Sequence, residues 1–275
     1  MDLLSQRFDP AGDRERARLP FPLRIFSPFL LIFTGGALGI VGGVIPPEIS
    51  RSLVTAGFHG GLLAAALGSA WGKAGGWQGS AWSLVGLLFL ASLSSQLVPW
   101  GAAAYLLPPL ALWALGQHQP QLRRIGWNWP SSRHGWFLGV GAGLFLGAHL
   151  LISASRTFGY PIRLTPTAPL LAAIAYDAGA NVLSAELFFR GAIFNSWQRR
   201  WGFWPGAAFS TGAYLLRYVV DPALPRTPEV FAGVLFYLAL LSLTGCALFT
   251  LSESLLPGAL AAFVFFGAYR TLQLW

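Results

Sequence analysis

The chain has 275 residues, 55% hydrophobic and only 10% charged, with a mean hydropathy of +0.57 and a formal net charge of +8. A soluble domain carries roughly 25% charged residues, so this composition excludes a water-soluble globular protein and predicts an all-α bundle in a lipid bilayer. The cations are scattered between apolar runs and form no patch interleaved with exposed aromatics, which excludes nucleic acid as the partner.

Residues 1–20 are polar and mixed in charge, with Asp9, Asp13 and Glu15 among their arginines, and read as a cytoplasmic N-terminal segment. The apolar run that follows is too long for a signal peptide and has no small-residue cleavage site before it ends, so it reads as a first anchor. Taking roughly 20 apolar residues per crossing, runs bounded by Pro, Gly and charge predict about nine transmembrane helices. They are Phe26–Ile45, Leu53–Trp71, Trp82–Val98, Gly101–Gly116, Gly135–Ser153, Pro169–Phe189, Trp204–Val220, Val230–Leu251 and Leu255–Tyr269. Only Pro99 and Trp100 separate the third from the fourth, so these two form either a tight hairpin or one broken helix. Residues 21–122 are thus N-terminal transmembrane helices, and 123–275 a second transmembrane part.

With the N-terminus in the cytoplasm, the inside holds Arg7, Arg14, Arg16, Arg18, Arg24, Lys73, Arg123, Arg124, Arg133, Arg190, Arg199 and Arg200. The outside holds only Arg51, Arg156, Arg163, Arg226 and Arg270, an asymmetry of the sign the positive-inside rule requires. The expected location is a bacterial inner or thylakoid-type membrane. Tryptophans gather at span ends, where amphipathic rings favour the headgroup region. Gly135, Gly139, Gly143 and Gly147 form a stripe along the fifth span, and Gly35, Gly39 and Gly43 along the first. Such stripes let helices approach closely; the first reading is packing within one chain, the second a homodimer contact.

Ionisable residues inside spans are costly and therefore candidates for function. They are His59, His149, Asp177, Glu186, Arg190, Arg217 and, at a span end, Glu253. On the sixth span Asp177, Asn181 and Ser184 share one face at helical spacing, while Glu186 and Arg190 stand at i, i+4, the favourable order for an ion pair. Counted at 3.6 residues per turn, Asn181 and Glu186 lie about 140° apart, so the helix has two polar stripes and belongs inside the bundle. Asp177, Asn181, Ser184, His149 and Arg217 are candidate lining residues of a polar cavity. An isolated His149 or His59 in a span reads first as a hydrogen-bonding bridge between helices, not as a base. No HxxxH or HExxH spacing occurs, and Cys246 is the only cysteine, so neither a metal, another cofactor nor a disulfide is expected.

The run Ala185-Glu186-Leu187-Phe188-Phe189-Arg190-Gly191 resembles the Glu-Glu-x-x-x-Arg signature of the CPBP family, which comprises type II CAAX prenyl endopeptidases, bacteriocin-processing proteins and abortive-infection proteins. Arg199-Arg200 before Gly202 and Trp204, Arg124-Ile125-Gly126-Trp127, and Ser254-Leu255-Leu256-Pro257-Gly258 resemble further parts of its core, so the likeness runs from Arg123 to Tyr269. The resemblance implies a CPBP-like transmembrane core. It also implies an intramembrane protease in which the first glutamate and a histidine of the next core helix activate water, with a His and an Asn or Asp on the last core helix. This chain departs from that set. Ala185 replaces the first glutamate, Tyr218 the histidine, Ala262 and Phe266 the last pair; Glu186 and Arg190 remain. The expectation is a catalytically degenerate bundle that binds a membrane protein or membrane-anchored peptide as an assembly or regulatory factor. Arg217, beside the old histidine position, is expected to help neutralise Glu186. The alternatives are an active intramembrane endopeptidase and, against the lack of any inverted repeat, a small-solute carrier.

Overall fold

The computed structural model describes residues 23–71, 76–163, 166–219 and 227–272. The N-terminal segment 1–20, with its charges, lies outside the described residues, as do Lys73 and Arg226. Among the described residues the chain is helical, with one isolated bridge between Ile162 and Leu272. The helices are α1 (Leu23–Gly42), α2 (Pro47–Trp71), α3 (Trp77–Leu97), α4 (Leu107–His118), α5 (His134–Phe158), α6 (Thr167–Trp201), α7 (Phe203–Val219), α8 (Pro228–Ser252) and α9 (Leu256–Tyr269).

Five of them, α2, α3, α5, α6 and α8, are long and apolar enough to cross a membrane. Shorter apolar stretches fill Ser27–Gly42 and Leu256–Tyr269. Large apolar side chains such as Leu31, Val41, Phe137, Phe145 and Phe236 stand on the surface, and a surface this apolar needs lipid around it. The chain is therefore a helical membrane protein.

Two expectations change. The predicted fourth span, Gly101–Gly116, is broken: residues Gly101–Leu106 form a 3₁₀ turn and only Leu107–His118 are α-helical. Pro108 and Pro109 sit at the start of that helix, where a missing N–H costs nothing. The sixth span was expected to end at Phe189, before a basic loop. Instead α6 is one helix of 35 residues that runs through Arg190, Arg199 and Arg200 to Trp201. At about 1.5 Å per residue this exceeds the roughly 30 Å hydrocarbon core. Arg190 is thus not a loop cation and drops out of the inside count.

The chain forms two compact units. One comprises 19–125 and 166–188, with α1–α4 and the first part of α6. Its axis is α2, whose most apolar window is 72% buried, against 33% for α3. Here α1 crosses α2 closely: a Cβ on Gly57 would lie 2.5 Å from the Phe33 nitrogen. The other unit comprises, of the described residues, 126–163, 189–219 and 227–272, and holds α5, the last part of α6, α7, α8 and α9. In it the glycine stripe of α5 seats α9. A Cβ on Gly139 would lie 2.5 Å from the Pro257 carbonyl oxygen, one on Gly143 2.7 Å from that of Ala261, and one on Gly147 2.8 Å from Ala268 Cβ. The glycine stripe of α5 is thus filled by α9 of the same chain.

Candidate functional site

The backbone of α6 departs from the α-ladder in two stretches. Asp177–Val182 and Glu186–Phe194 are π-helical, with Leu183–Ala185 between them. A π turn closes on residue i+5, which is rare and gathers at functional sites. The angle of about 140° between Asn181 and Glu186, reckoned on an α-ladder, does not apply to this wider ladder, and the two-stripe picture goes with it. Asp177, Asn181, Ser184, Glu186 and Arg190 are all buried.

In the first unit the polar side chains of α6 converge on α2. His59 Nδ1 lies 2.8 Å from Ser184 Oγ, and its Nε2 lies 2.9 Å from the Tyr176 hydroxyl. A neutral imidazole offers one donor and one acceptor, and each hydroxyl can serve either way, so both ring nitrogens are satisfied. The row continues through Ser184, whose hydroxyl donates to the Asn181 carbonyl at 3.3 Å, and through Asn181, whose Nδ2 donates to Asp177 Oδ1 at 3.1 Å. Tyr176 meets the Tyr105 ring edge-on at 5.3 Å. Gly179 admits the 3₁₀ turn, since a Cβ there would stand 1.6 Å from the Tyr105 carbonyl oxygen. Asp177, Asn181 and Ser184 thus come together as expected, but as a bonded row with His59 and Tyr176. Tyr176 was missed: it adjoins Asp177 in an apolar run, and nothing local marks a tyrosine whose partner is 117 residues away.

In the second unit Arg190 is sealed. Arg190 has no exposed surface, and its guanidinium carbon sits 4.3 Å from the centre of the Tyr214 ring. Gly245 on α8 leaves room for it, because a Cβ there would lie 3.1 Å from Arg190 Nε. Tyr214 meets Tyr218 at 5.2 Å between rings, with hydroxyls 3.4 Å apart. Arg217 in turn lies over Tyr218 at 5.0 Å. A cation–π contact contributes about 0.5–1 kcal/mol at an exposed site and about 2 kcal/mol when desolvated. Arg190 is fully buried and Arg217 half-buried. Tyr218, where the resemblance implies a histidine, packs in this aromatic cluster. Hydroxyls brace the same region: Ser210 donates to the Phe189 carbonyl at 2.7 Å, and Thr211 pairs with Ser242 at 2.8 Å.

The remaining motif positions are apolar packing. Ala185 and Ala262 are buried methyls, and Phe266 is buried edge-on to Phe265 at 5.6 Å. His149 stays with α5 and α8, its Nδ1 2.7 Å from the Tyr237 hydroxyl; with Arg217 it belongs to the second unit, and the row on α6 to the first. Also in that unit, a small cleft of about 50 Å³ runs between Leu150, Ala154, Phe158, Val234, Tyr237 and Tyr269, and none of the motif positions lines it. Among the described residues no three His, Cys, Asp or Glu side chains converge to hold a metal. No known family model, curated protein or solved structure matches the chain.

Proposed function

We propose that the chain is a membrane protein of nine membrane-embedded segments with a CPBP-like core from Arg123 to Tyr269, and that it acts by binding a membrane partner, not by cutting one. The observation that carries this reading is the chemistry of the positions themselves. Water activation needs a base held near the reacting group, and the family's base positions hold Ala185 and Tyr218, a methyl and a phenol, neither of which offers a carboxylate or an imidazole to take the proton. The oxyanion-side positions hold Ala262 and Phe266, neither of which donates a side-chain hydrogen bond. Arg190, the retained cation, is buried against Tyr214 and supports a holding role. The bundle keeps the core and fills the chemistry with packing.

The partner is a membrane protein or membrane-anchored peptide that the bundle assembles, protects or regulates in a bacterial inner or thylakoid-type membrane, with the N-terminus in the cytoplasm. The test uses the full chain reconstituted in liposomes with prenylated and lipid-anchored peptides. Mass spectrometry of the peptides should find no product that differs between the natural chain and Glu186→Gln. Cleavage that disappears in Glu186→Gln would sink the proposal and make the chain an intramembrane protease with Glu186 as base.

A further inference from the structure

The end of α6 and the start of α7 carry a constellation that the binding role does not absorb. Arg199 and Arg200 are exposed in the last turn of α6, and Trp201 and Trp204 are 56% and 68% exposed. The pieces are held in place. Arg199 Nε donates to Asn195 Oδ1 at 3.0 Å, and the Arg200 guanidinium carbon lies 5.0 Å from the centre of the Trp201 ring. Beneath them Trp197 stacks on Phe209 at 3.9 Å and an interplanar angle of 13°. Gly202 reverses the chain with φ 85° and ψ 178°, so the 17-residue α7 begins directly beside the arginines. A helix start offers backbone N–H groups without intrahelical partners and a partial positive charge.

A last-turn arginine is favoured by the helix dipole alone. That preference does not account for two outward indoles flanking the pair. Nor does the surrounding charge cancel it. The Thr250 hydroxyl of α8 reaches Gln198 at 3.4 Å, and the Ser252 carbonyl accepts from the Ser131 amide at 3.4 Å, so the start of α5 and the end of α8 share this end of the unit. There Arg133, Arg199 and Arg200 outweigh Glu253, which with Glu229 makes up the carboxylates among the described residues of the unit. Glu229 opens α8 and so lies at the helix's other end.

We infer that the α6–α7 turn is a binding site for an anionic phospholipid headgroup. The guanidinium groups of Arg199 and Arg200 take the phosphate together with the Phe203 and Trp204 amides, the third residue of α7 being Pro205, which has no N–H, while Trp201 and Trp204 sit at the level of the glycerol backbone. A lipid fits better than a free anion because indoles seek the interface between headgroup and acyl chain. The inference rests on the membrane reading, not on the absence of proteolysis.

The test is native mass spectrometry of the full, delipidated chain in detergent, titrated with phosphatidylglycerol and phosphatidylcholine of the same acyl chains. The natural chain should retain phosphatidylglycerol preferentially. With about 1 kcal/mol per interfacial arginine, Arg199→Gln/Arg200→Gln should weaken that adduct roughly 10- to 30-fold. Arg199→Lys/Arg200→Lys should keep it. Equal retention of both lipids, or an unchanged preference in the glutamine pair, overturns the site. Displacement of the lipid by soluble glycerol phosphate makes it a free-anion site and overturns the lipid assignment. If the glutamine pair is not recovered as a monodisperse species, Arg200→Gln alone decides, with an expected loss of roughly fivefold. Recovery of the chain from the soluble fraction without detergent would instead sink the membrane reading itself.

Discussion

His59 and His149 stand in different helix pairs and are held in one way, each imidazole bonded to a tyrosine hydroxyl on a neighbouring helix. Hydrogen bonds between membrane helices are worth about 0.6 kcal/mol on average and up to about 1.7. His59 and Ser184 are buried and 2.8 Å apart, so a His59→Ala, Ser184→Ala double-mutant cycle on thermal unfolding in detergent should give a coupling in the upper half of that range. A coupling near zero would mean that the row does not fix α2 to α6. Arg190 sets up a second comparison. Gly245→Ala forces a methyl against a guanidinium already stacked on Tyr214, and should cost about 1–3 kcal/mol by overpacking. Gly212→Ala, which meets open space, should be neutral or slightly stabilising. The bridging role of both histidines was legible from their isolation in apolar runs. Their partners were not, because a hydroxyl far along the chain leaves no local mark.

At the scale of the element, α6 was the most legible helix and also the one most changed. Its polar content pointed to burial, and burial is found. Its end was misplaced because Arg190 looked like a membrane boundary. A guanidinium stacked on an aromatic ring can remain inside a bundle, and no window of hydropathy sees the ring. The π stretches were invisible for a similar reason: the sequence carries α-helical spacing, and only the surrounding packing selects the wider turn. The break in the fourth span was half legible, in Pro108 and Pro109. Gly179 is where α6 and that break meet. A methyl 1.6 Å from the Tyr105 carbonyl oxygen cannot be accommodated without moving backbone. Gly179→Ala should therefore lower membrane accumulation of folded chain several-fold, while Gly86→Ala on the open face of α3 should leave it unchanged. Quantitative immunoblotting of detergent extracts after gel filtration separates the two.

For the whole molecule, composition alone was enough to establish the membrane class, because no arrangement of this many apolar side chains leaves a polar exterior. Orientation is a separate matter, proposed from charge alone. If the N-terminus is in the cytoplasm, as proposed, α5 (His134–Phe158) runs outward. In a Cys246→Ser background, an impermeant maleimide should label Ser132→Cys only from the cytoplasmic side and Gly159→Cys only from the opposite side. The reverse pattern would invert the topology. Cys246 is buried and is the only cysteine, so removing it leaves a clean chain for such labelling at the modest cost of a small packed side chain.

The π-ladder of α6 also changes the arithmetic by which its motif residues are compared. On an α-ladder the partner of Arg190 is four residues back, at Glu186. Where the turn closes on the fifth residue, the position nearest in phase moves towards Ala185. Ala185 therefore stands at the phase where an acid would best meet the arginine. Ala185→Glu, not a further change at Glu186, is the single substitution that places a carboxylate at that phase.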